Sequence, residues 1–182
     1  MLSQSLRTPA ARIAARIAAR FATPFAALVL AAGCADLSFG PPRLEPGTTL
    51  DQAIARLGPP TARHRIADGA TRLEYWGGNY AKATWMIDFD ASGRLVGANQ
   101  VLTEANFYAL PAGITRDELR VRMGPPISTF AIPRQHIQVW NYRYETNDCL
   151  WFQVSIRDAD QRVAETTRGI DPSCDAPNDA RS

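Results

Sequence analysis

The chain has 182 residues, of which 46% are hydrophobic and 21% are charged, a balance typical of a globular protein rather than a disordered one. The formal net charge is +2, but four of the 20 basic residues and none of the 18 acidic residues precede Cys34. The chain after that point is near −2, so its composition gives no reason to expect a nucleic-acid partner.

Residues 1–33 are predicted to be a lipoprotein signal peptide. A basic, acid-free stretch over residues 1–20 is followed by an apolar run over residues 21–32, which is too short to span a bilayer. Residues 30–34, Leu-Ala-Ala-Gly-Cys, resemble the bacterial lipobox, so we expect Cys34 to be the lipid attachment site, carrying palmitate. An ordinary secreted protein with an incidental Cys34 and a mitochondrial transit peptide are the alternatives.

Two stretches of the chain repeat one another. Residues 47–60 return as residues 113–126, with seven identities in fourteen positions at a spacing of 66. A fixed period indicates one supersecondary unit that is used twice. Each copy predicts a short helix, because Thr and a Gln or Glu three positions later form a capping box, and Gly before two prolines ends the helix. The proline-containing residues 34–46 are predicted to be a lipidated tether.

Three strands are predicted after each helix. Unit one is expected to span residues 47–101 and unit two residues 102–168, and in both units apolar residues alternate along short segments separated by turns. The spacing changes within the units, because Tyr75 matches Tyr142 at 67 rather than 66. We therefore predict one inserted residue between the helix and the strands of unit two.

This register divides the apolar side chains of the strands between two faces. Four of them lie on the faces opposite to the predicted core: Trp76, Met86, Val139 and Trp151. Apolar groups clustered on such a face often mark a binding surface, so these four residues form the candidate protein-binding face. The alternative is that the other unit or the C-terminal tail covers this face.

Cys149 and Cys174 are the cysteines that remain once Cys34 carries lipid. In an oxidising periplasm we expect a disulfide between them, with two unpaired thiols as the alternative. A bridge would hold the tail, residues 169–182, which is rich in Pro, Asp and Ser. The two histidines of the chain belong to no metal-binding pattern, so neither a metal nor another cofactor is expected.

The combined motifs resemble those of the SmpA/OmlA, or BamE-like, family of outer-membrane lipoproteins. The resemblance is carried by a Gly-x-Thr helix that ends in Gly-Pro-Pro in both units, by Gly93-Arg94-Leu95 in unit one and by Trp140-Asn141-Tyr142 in unit two. It covers about residues 47–168. It implies an α+β fold of two tandem BamE-like units, each with short helices packed on a three-stranded antiparallel sheet.

The resemblance also implies a location and a role. It places the protein at the outer membrane, lipid-anchored on the periplasmic side, as an accessory in the assembly of outer-membrane β-barrel proteins. The expected function is a protein-binding scaffold whose partners are envelope proteins, among them the β-barrel assembly machinery. A tandem of such units also resembles the architecture of β-lactamase-inhibitory protein, so a periplasmic inhibitor or binding module is the alternative.

The sequence contains no pattern that predicts an enzyme. The repeated stretch has no reactive group, and no nucleophile, base and orienting residue occur in a recognisable arrangement. Asp88 and Asp90 share a strand face, but the end of a strand that runs into a turn accounts for both. We therefore expect no catalytic residue and no small-molecule substrate.

Overall fold

The computed structural model describes residues 42–174. The predicted signal peptide, the lipid attachment site Cys34, most of the tether and the end of the tail lie outside these residues. The described part is α+β, with three α-helices and two four-stranded antiparallel sheets. None of its helices is long and apolar enough to cross a membrane.

Unit one folds into a helix followed by a four-stranded meander, which we call sheet one. The strands lie in the order β1-β2-β3-β4, so each strand pairs with its neighbour in the sequence. The elements are α1 (Leu50–Leu57), β1 (Ala62–Arg65), β2 (Thr71–Trp76), β3 (Thr84–Phe89) and β4 (Leu95–Gln100).

Unit two has the same plan with one additional short helix. Its meander, sheet two, has the strand order β5-β6-β7-β8. The elements are α2 (Glu104–Tyr108), α3 (Arg116–Met123), β5 (Ser128–Ile132), β6 (Ile137–Arg143), β7 (Leu150–Arg157) and β8 (Val163–Ile170).

Each sheet has four strands, and the predicted number of three was wrong. The missed strands, β1 and β5, lie at sheet edges. β1 reads Ala-Arg-His-Arg, and four of the five residues of β5 are exposed. A strand that buries few side chains needs no alternation of apolar and polar residues, so the pattern that reveals the inner strands is missing here.

The repeated stretch forms the helix ends that it predicts. Thr49 Oγ1 accepts a hydrogen bond from the Gln52 N–H at 3.3 Å, and the Gln52 side chain accepts one from the Thr49 N–H at 2.9 Å. Thr115 and Glu118 form the second capping box in the same way. Both helices end at a glycine with a positive φ, which gives the chain the sharp change of direction into the first strand.

The inner strands repeat at a spacing of 67, as predicted. The hydroxyl of Tyr75 donates to the carbonyl of Gly58 at 3.0 Å, and the hydroxyl of Tyr142 donates to the carbonyl of Gly124 at 3.3 Å. The glycines are 66 apart and the tyrosines are 67 apart, so one residue is inserted in unit two.

The inserted residue lies in the turn between β5 and β6, which is between the helix and the strands that the sequence predicted. Arg63 pairs with Leu73 in sheet one where Thr129 pairs with Trp140 in sheet two. β1 and β5 therefore still match at 66, and the shift begins after them. A second inserted residue, in the turn between β7 and β8, moves the last strands to a spacing of 68.

We call the face of each sheet that carries its own helix the front, and the opposite face the back. α1 covers the front of sheet one over a fully buried cluster: Ala53, Leu73, Ile87 and Phe89. α2 and α3 cover the front of sheet two, where Phe107 stacks on Phe152 with ring centroids 4.2 Å apart.

α3 is shared between the two sheets. Its residues Leu119 and Met123 belong to the core of sheet two, and Met86 from the back of sheet one lies in the same buried cluster. Gly124, at the end of α3, lies so close to sheet one that a Cβ there would be 2.9 Å from Thr84 Cγ2. The layers therefore follow the order α1, sheet one, α3, sheet two.

Candidate interaction surface

The register places the four residues of the predicted protein-binding face on the backs of the two sheets. Met86 is fully buried and Val139 is 4% exposed, whereas Trp76 and Trp151 are partly exposed. The four residues therefore do not form one exposed surface. On sheet one, the face is covered by the other unit, which was the alternative interpretation: α3 packs over Met86.

A buried ionic contact closes the back of sheet one. The carboxylate of Glu74 is fully buried, and both of its oxygens accept hydrogen bonds from the guanidinium of Arg120 on α3. His64 Nε2 lies 2.9 Å from Glu74 Oε2. Because a buried carboxylate is costly unless it is paired, this contact fixes α3 against sheet one.

A second contact, two residues along β2 from Glu74, supports the first. Arg72 binds both carboxylate oxygens of Asp88, at 2.7 and 2.8 Å, and donates to the carbonyl of Val121 on α3 at 3.2 Å. The hydrogen bond to Asp88 raises the pKa of Arg72. Asp88, one of the two aspartates that share a strand face, is thus a structural ion-pair partner.

Sequence reasoning missed Glu74 and Arg120. Two signals were present: Glu74 stands between apolar residues of an inner strand, and Arg120 takes the place of Ile54 in the apolar stripe of the repeated helix. A charged residue within the apolar stripe fits a helix that packs on two sheets, because here Arg120 pairs with Glu74 of the second sheet.

The back of sheet two has an uncharged hydrogen-bond network in place of the ionic contact. Asn141, which corresponds to Glu74 at the spacing of 67, is 2% exposed. Its Nδ2 donates to Ser128 Oγ at 2.9 Å, and its Oδ1 accepts from Gln153 Nε2 at 3.1 Å. The three side chains are uncharged and belong to the same sheet. The network therefore needs no charged residue from a helix elsewhere.

Trp151 and Phe130 border this network. Trp151 lies beside Gly169, where an added Cβ would be 3.1 Å from the indole Nε1. On the edge strand β5, Phe130 is 43% exposed and pairs with Val139. We define the open back face as Phe130, Val139, Asn141, Trp151 and Gln153. Phe130 is exposed, Trp151 and Gln153 are partly exposed, and Val139 and Asn141 are buried. The three described helices all lie on other faces of the sheets.

The disulfide between Cys149 and Cys174 is formed and ties the tail to the turn that precedes β7. Asp171, between β8 and Cys174, binds the guanidinium of Arg143 through both oxygens. The hydrogen bond from Arg143, assisted by the Ser173 N–H, lowers the pKa of Asp171 to about 2. The tail is thus held by a covalent bond and an ion pair.

A cavity of about 150 Å³ lies beside this ion pair. It is lined by residues of both units, among them Tyr80 and Lys82 from unit one and Tyr144 and Leu150 from unit two. One of its two lining cations, Arg143, donates to Asp171 and to the carbonyl of Asn79 at 2.8 Å. The donors of Arg143 thus serve to join the units and the tail.

No family model matches the chain, and no curated protein matches it. Among solved structures, a cysteine-rich secretory protein of Staphylococcus aureus is 11% identical with a TM-score of 0.26, over 74% of this chain and 49% of that one. A DUF4309 family protein of Bacillus subtilis is 13% identical with a TM-score of 0.27, over 68% of this chain and 78% of that one.

An extracellular protein of Bacillus anthracis that contains an SCP domain is 10% identical with a TM-score of 0.26, over 70% of this chain and 44% of that one. The chain thus spans less than half the length of this protein and of the staphylococcal one. Scores this low support no conclusion about fold or function, and the resemblance to BamE-like lipoproteins stays a prediction.

Proposed function

We propose that the chain is a periplasmic protein-binding scaffold, anchored to the outer membrane through a lipid on Cys34, that holds a partner protein on the open back face of sheet two. The observation that carries this proposal is the unequal treatment of two equivalent faces. α3 covers the back of sheet one, whereas the described residues provide no helix for the back of sheet two.

The chemistry of the open back face indicates what it binds. Asn141 occupies the position that Glu74 has in sheet one, where Glu74 is paired with Arg120. Asn141 is uncharged and already hydrogen-bonded, so the partner needs no cation to pair with it. Trp151 and Phe130 supply partly exposed aromatic area on either side of the amide network. Aromatic residues beside polar groups that are already satisfied are typical of the centre of a protein interface. The partner therefore presents an apolar surface, such as one side of an amphipathic helix.

The BamE-like resemblance and the lipobox give this scaffold its proposed location and partners. A lipid on Cys34 keeps the protein at the membrane surface, and the tether lets the two units reach neighbouring envelope proteins. We propose components of the β-barrel assembly machinery as these partners.

Site-specific photo-crosslinking in cells tests the proposal. A photoreactive phenylalanine analogue in place of Trp151 is expected to capture a discrete envelope protein, identified by mass spectrometry. The matched control is the same analogue in place of Val96, which is 69% exposed on the edge strand β4 of sheet one. Capture at neither position, or of the same proteins at both, rejects the open back face. Consistent absence of β-barrel assembly components among the captured proteins rejects the assembly role.

The contribution of the anchor is tested separately from the surface. In cells, Cys34→Ala is expected to abolish function, and an unrelated membrane anchor is expected to restore it. A Cys34→Ala protein that remains fully active as a soluble protein favours the inhibitor alternative.

A further inference from the structure

The two repeated edge strands differ in charge. β1, Ala62–Arg65, carries two arginines and a histidine, whereas β5, Ser128–Ile132, carries no charge. Natural proteins protect the free edges of sheets with charged residues, because an unprotected edge pairs with other strands. β1 has this protection and β5, its equivalent at a spacing of 66, does not.

The backbone of β5 offers hydrogen-bonding groups toward the outside of the sheet. The carbonyl of Asn141 accepts from the Ile127 N–H, so the backbone groups of Asn141 point at β5. Asn141 is paired with Ser128. Because such groups alternate along an antiparallel strand, the N–H and C=O groups of Thr129 and Ala131 point away from β6.

The chain limits the length of this edge. Pro126 lies two residues before β5 and Pro133 directly after it, and proline has no N–H to donate. A five-residue strand is about 17 Å long, which suits a short linear segment. A second folded copy needs more, because stable interfaces between folded proteins bury at least about 1,200 Å².

Charge and shape define the segment that fits. β5 and β6 contain no acidic residue, and Arg134 is exposed in the turn between them. Asp158 lies against that turn, where its N–H donates to the carbonyl of His136, and Arg134 forms no ion pair with it or with another described residue. An acidic group therefore fits beside Arg134. Phe130, on the back of β5, offers an apolar contact to every second residue of an added strand.

We propose that β5 binds an extended segment of a partner protein as an additional antiparallel strand. The segment has apolar residues at alternate positions, no charge in its centre and an acidic residue at the end that lies beside Arg134. The main chain supplies the hydrogen bonds, and Phe130 supplies the side-chain selectivity. The edge shares Phe130 with the open back face but binds through its main chain, so this inference goes beyond the proposed scaffold function.

A synthetic peptide of alternating threonine and valine with an N-terminal aspartate is the probe. Fluorescence anisotropy with the purified full-length chain is expected to show saturable binding. The matched control peptide carries N-methyl groups on the residues that face β5, and its binding is expected to be about tenfold weaker because it lacks the donors. Replacement of the aspartate by lysine is expected to weaken binding about threefold at low salt.

Variants of the protein complete the test. Ala131→Pro removes an outward N–H without touching the bonds to β6, and Phe130→Ser removes the apolar contact; each is expected to weaken binding about tenfold. Val96→Lys on β4 serves as the control and is expected to bind normally. Trp151→Ala is expected to keep peptide binding, which separates this proposal from the scaffold function.

Two results overturn the proposal. One is equal affinity for the N-methylated and unmodified peptides, since pairing through the main chain then does not occur. The other is a dimer in sedimentation equilibrium that Ala131→Pro dissociates, because a second copy of the chain then fills the edge. Circular dichroism of each variant checks that the fold is retained.

Discussion

Asn141 occupies in sheet two the position that Glu74 occupies in sheet one. Both side chains lie on the back of the second strand of a meander, and they are 2% and 0% exposed. Glu74 needs Arg120 from a different element, whereas Asn141 finds Ser128 and Gln153 within its own sheet. The polar groups on the back of sheet two are therefore satisfied without a covering helix.

The Glu74–Arg120 contact predicts a large effect of removing one partner. Arg120→Ala is expected to lower the free energy of unfolding by about 3 kcal/mol, because it leaves a fully buried carboxylate without its cation. Urea denaturation measures the change. The control is Arg116→Ala, which removes a surface ion pair to Asp117 and is expected to change stability by less than about 1 kcal/mol. Equal effects of the two variants contradict the role of Arg120 in fixing α3 against sheet one.

The two helix-ending glycines predict unequal effects of the same substitution. Gly58 and Gly124 have nearly the same positive φ, 84° and 81°, but only Gly124 has a close neighbour, Thr84. Gly58→Ala is expected to cost about 1–3 kcal/mol from backbone strain alone, because φ 84° with ψ −177° is a conformation that essentially only glycine adopts. Gly124→Ala is expected to cost a further 1–3 kcal/mol or so from the clash with Thr84.

Thermal or urea unfolding of the two glycine variants checks this difference, with Thr84→Ala as a second-site change. Thr84→Ala is expected to recover part of the stability lost in Gly124→Ala and none of that lost in Gly58→Ala. Identical losses in the two single variants refute close contact between α3 and sheet one.

The disulfide predicts a stability that depends on redox conditions. Cys149 and Cys174 are 25 residues apart, and closing a loop of this size stabilises a protein by about 3 kcal/mol in the chain-entropy model. A reductant is therefore expected to lower the urea midpoint of the wild type. The Cys149→Ser/Cys174→Ser double variant is expected to show the lower midpoint with or without reductant. A wild-type midpoint that reductant does not change argues against a contribution of the bridge to stability.

The Arg143–Asp171 pair predicts a loss of stability in acid. The folded state lowers the pKa of Asp171 from 3.8 to about 2, mainly through the hydrogen bond from Arg143. A lowered carboxyl pKa gives a stabilisation that is fully present above the unfolded pKa and is lost as the pH falls through the folded pKa. The loss attributed to this pair is therefore expected between about pH 4 and pH 2.

Urea unfolding at several pH values measures this dependence, with Asp171→Asn as the comparison. The variant is expected to be less stable than the wild type at neutral pH, and the difference is expected to shrink as the pH approaches 2. A difference that stays constant across the acid range disproves the role of the Asp171 charge.

Local features of the fold were readable from the sequence, and features that depend on distant contacts were not. The capping boxes of Thr49 and Thr115 and the 67-residue spacing of Tyr75 and Tyr142 are set by neighbouring residues, so the structure confirms them. Met86 looks the same in the sequence whether or not another element covers it. Only the contact with α3 decides its burial.

The candidate surface shows the same division. The alternation along the strands placed Trp151 and Val139 correctly on the back of sheet two, because alternation reports the face directly. It gave no sign that Asn141, between polar neighbours on the same face, is nearly as buried as the core. The edge strand β5 was missed because its exposed residues have no alternating pattern, although its lack of charge makes it informative once its place is known.

The position of α3 between the two sheets gives the duplication a direction. A third copy of the unit added after β8 would place its helix on the back of sheet two, as α3 lies on the back of sheet one. At the other end of the stack, α1 covers the front of sheet one and leaves Asp51, Gln52 and Arg56 exposed. The first unit cannot be cut away as a separate module either, because Met86 and Glu74 would lose their cover. The two units are thus one packed body rather than two interchangeable modules.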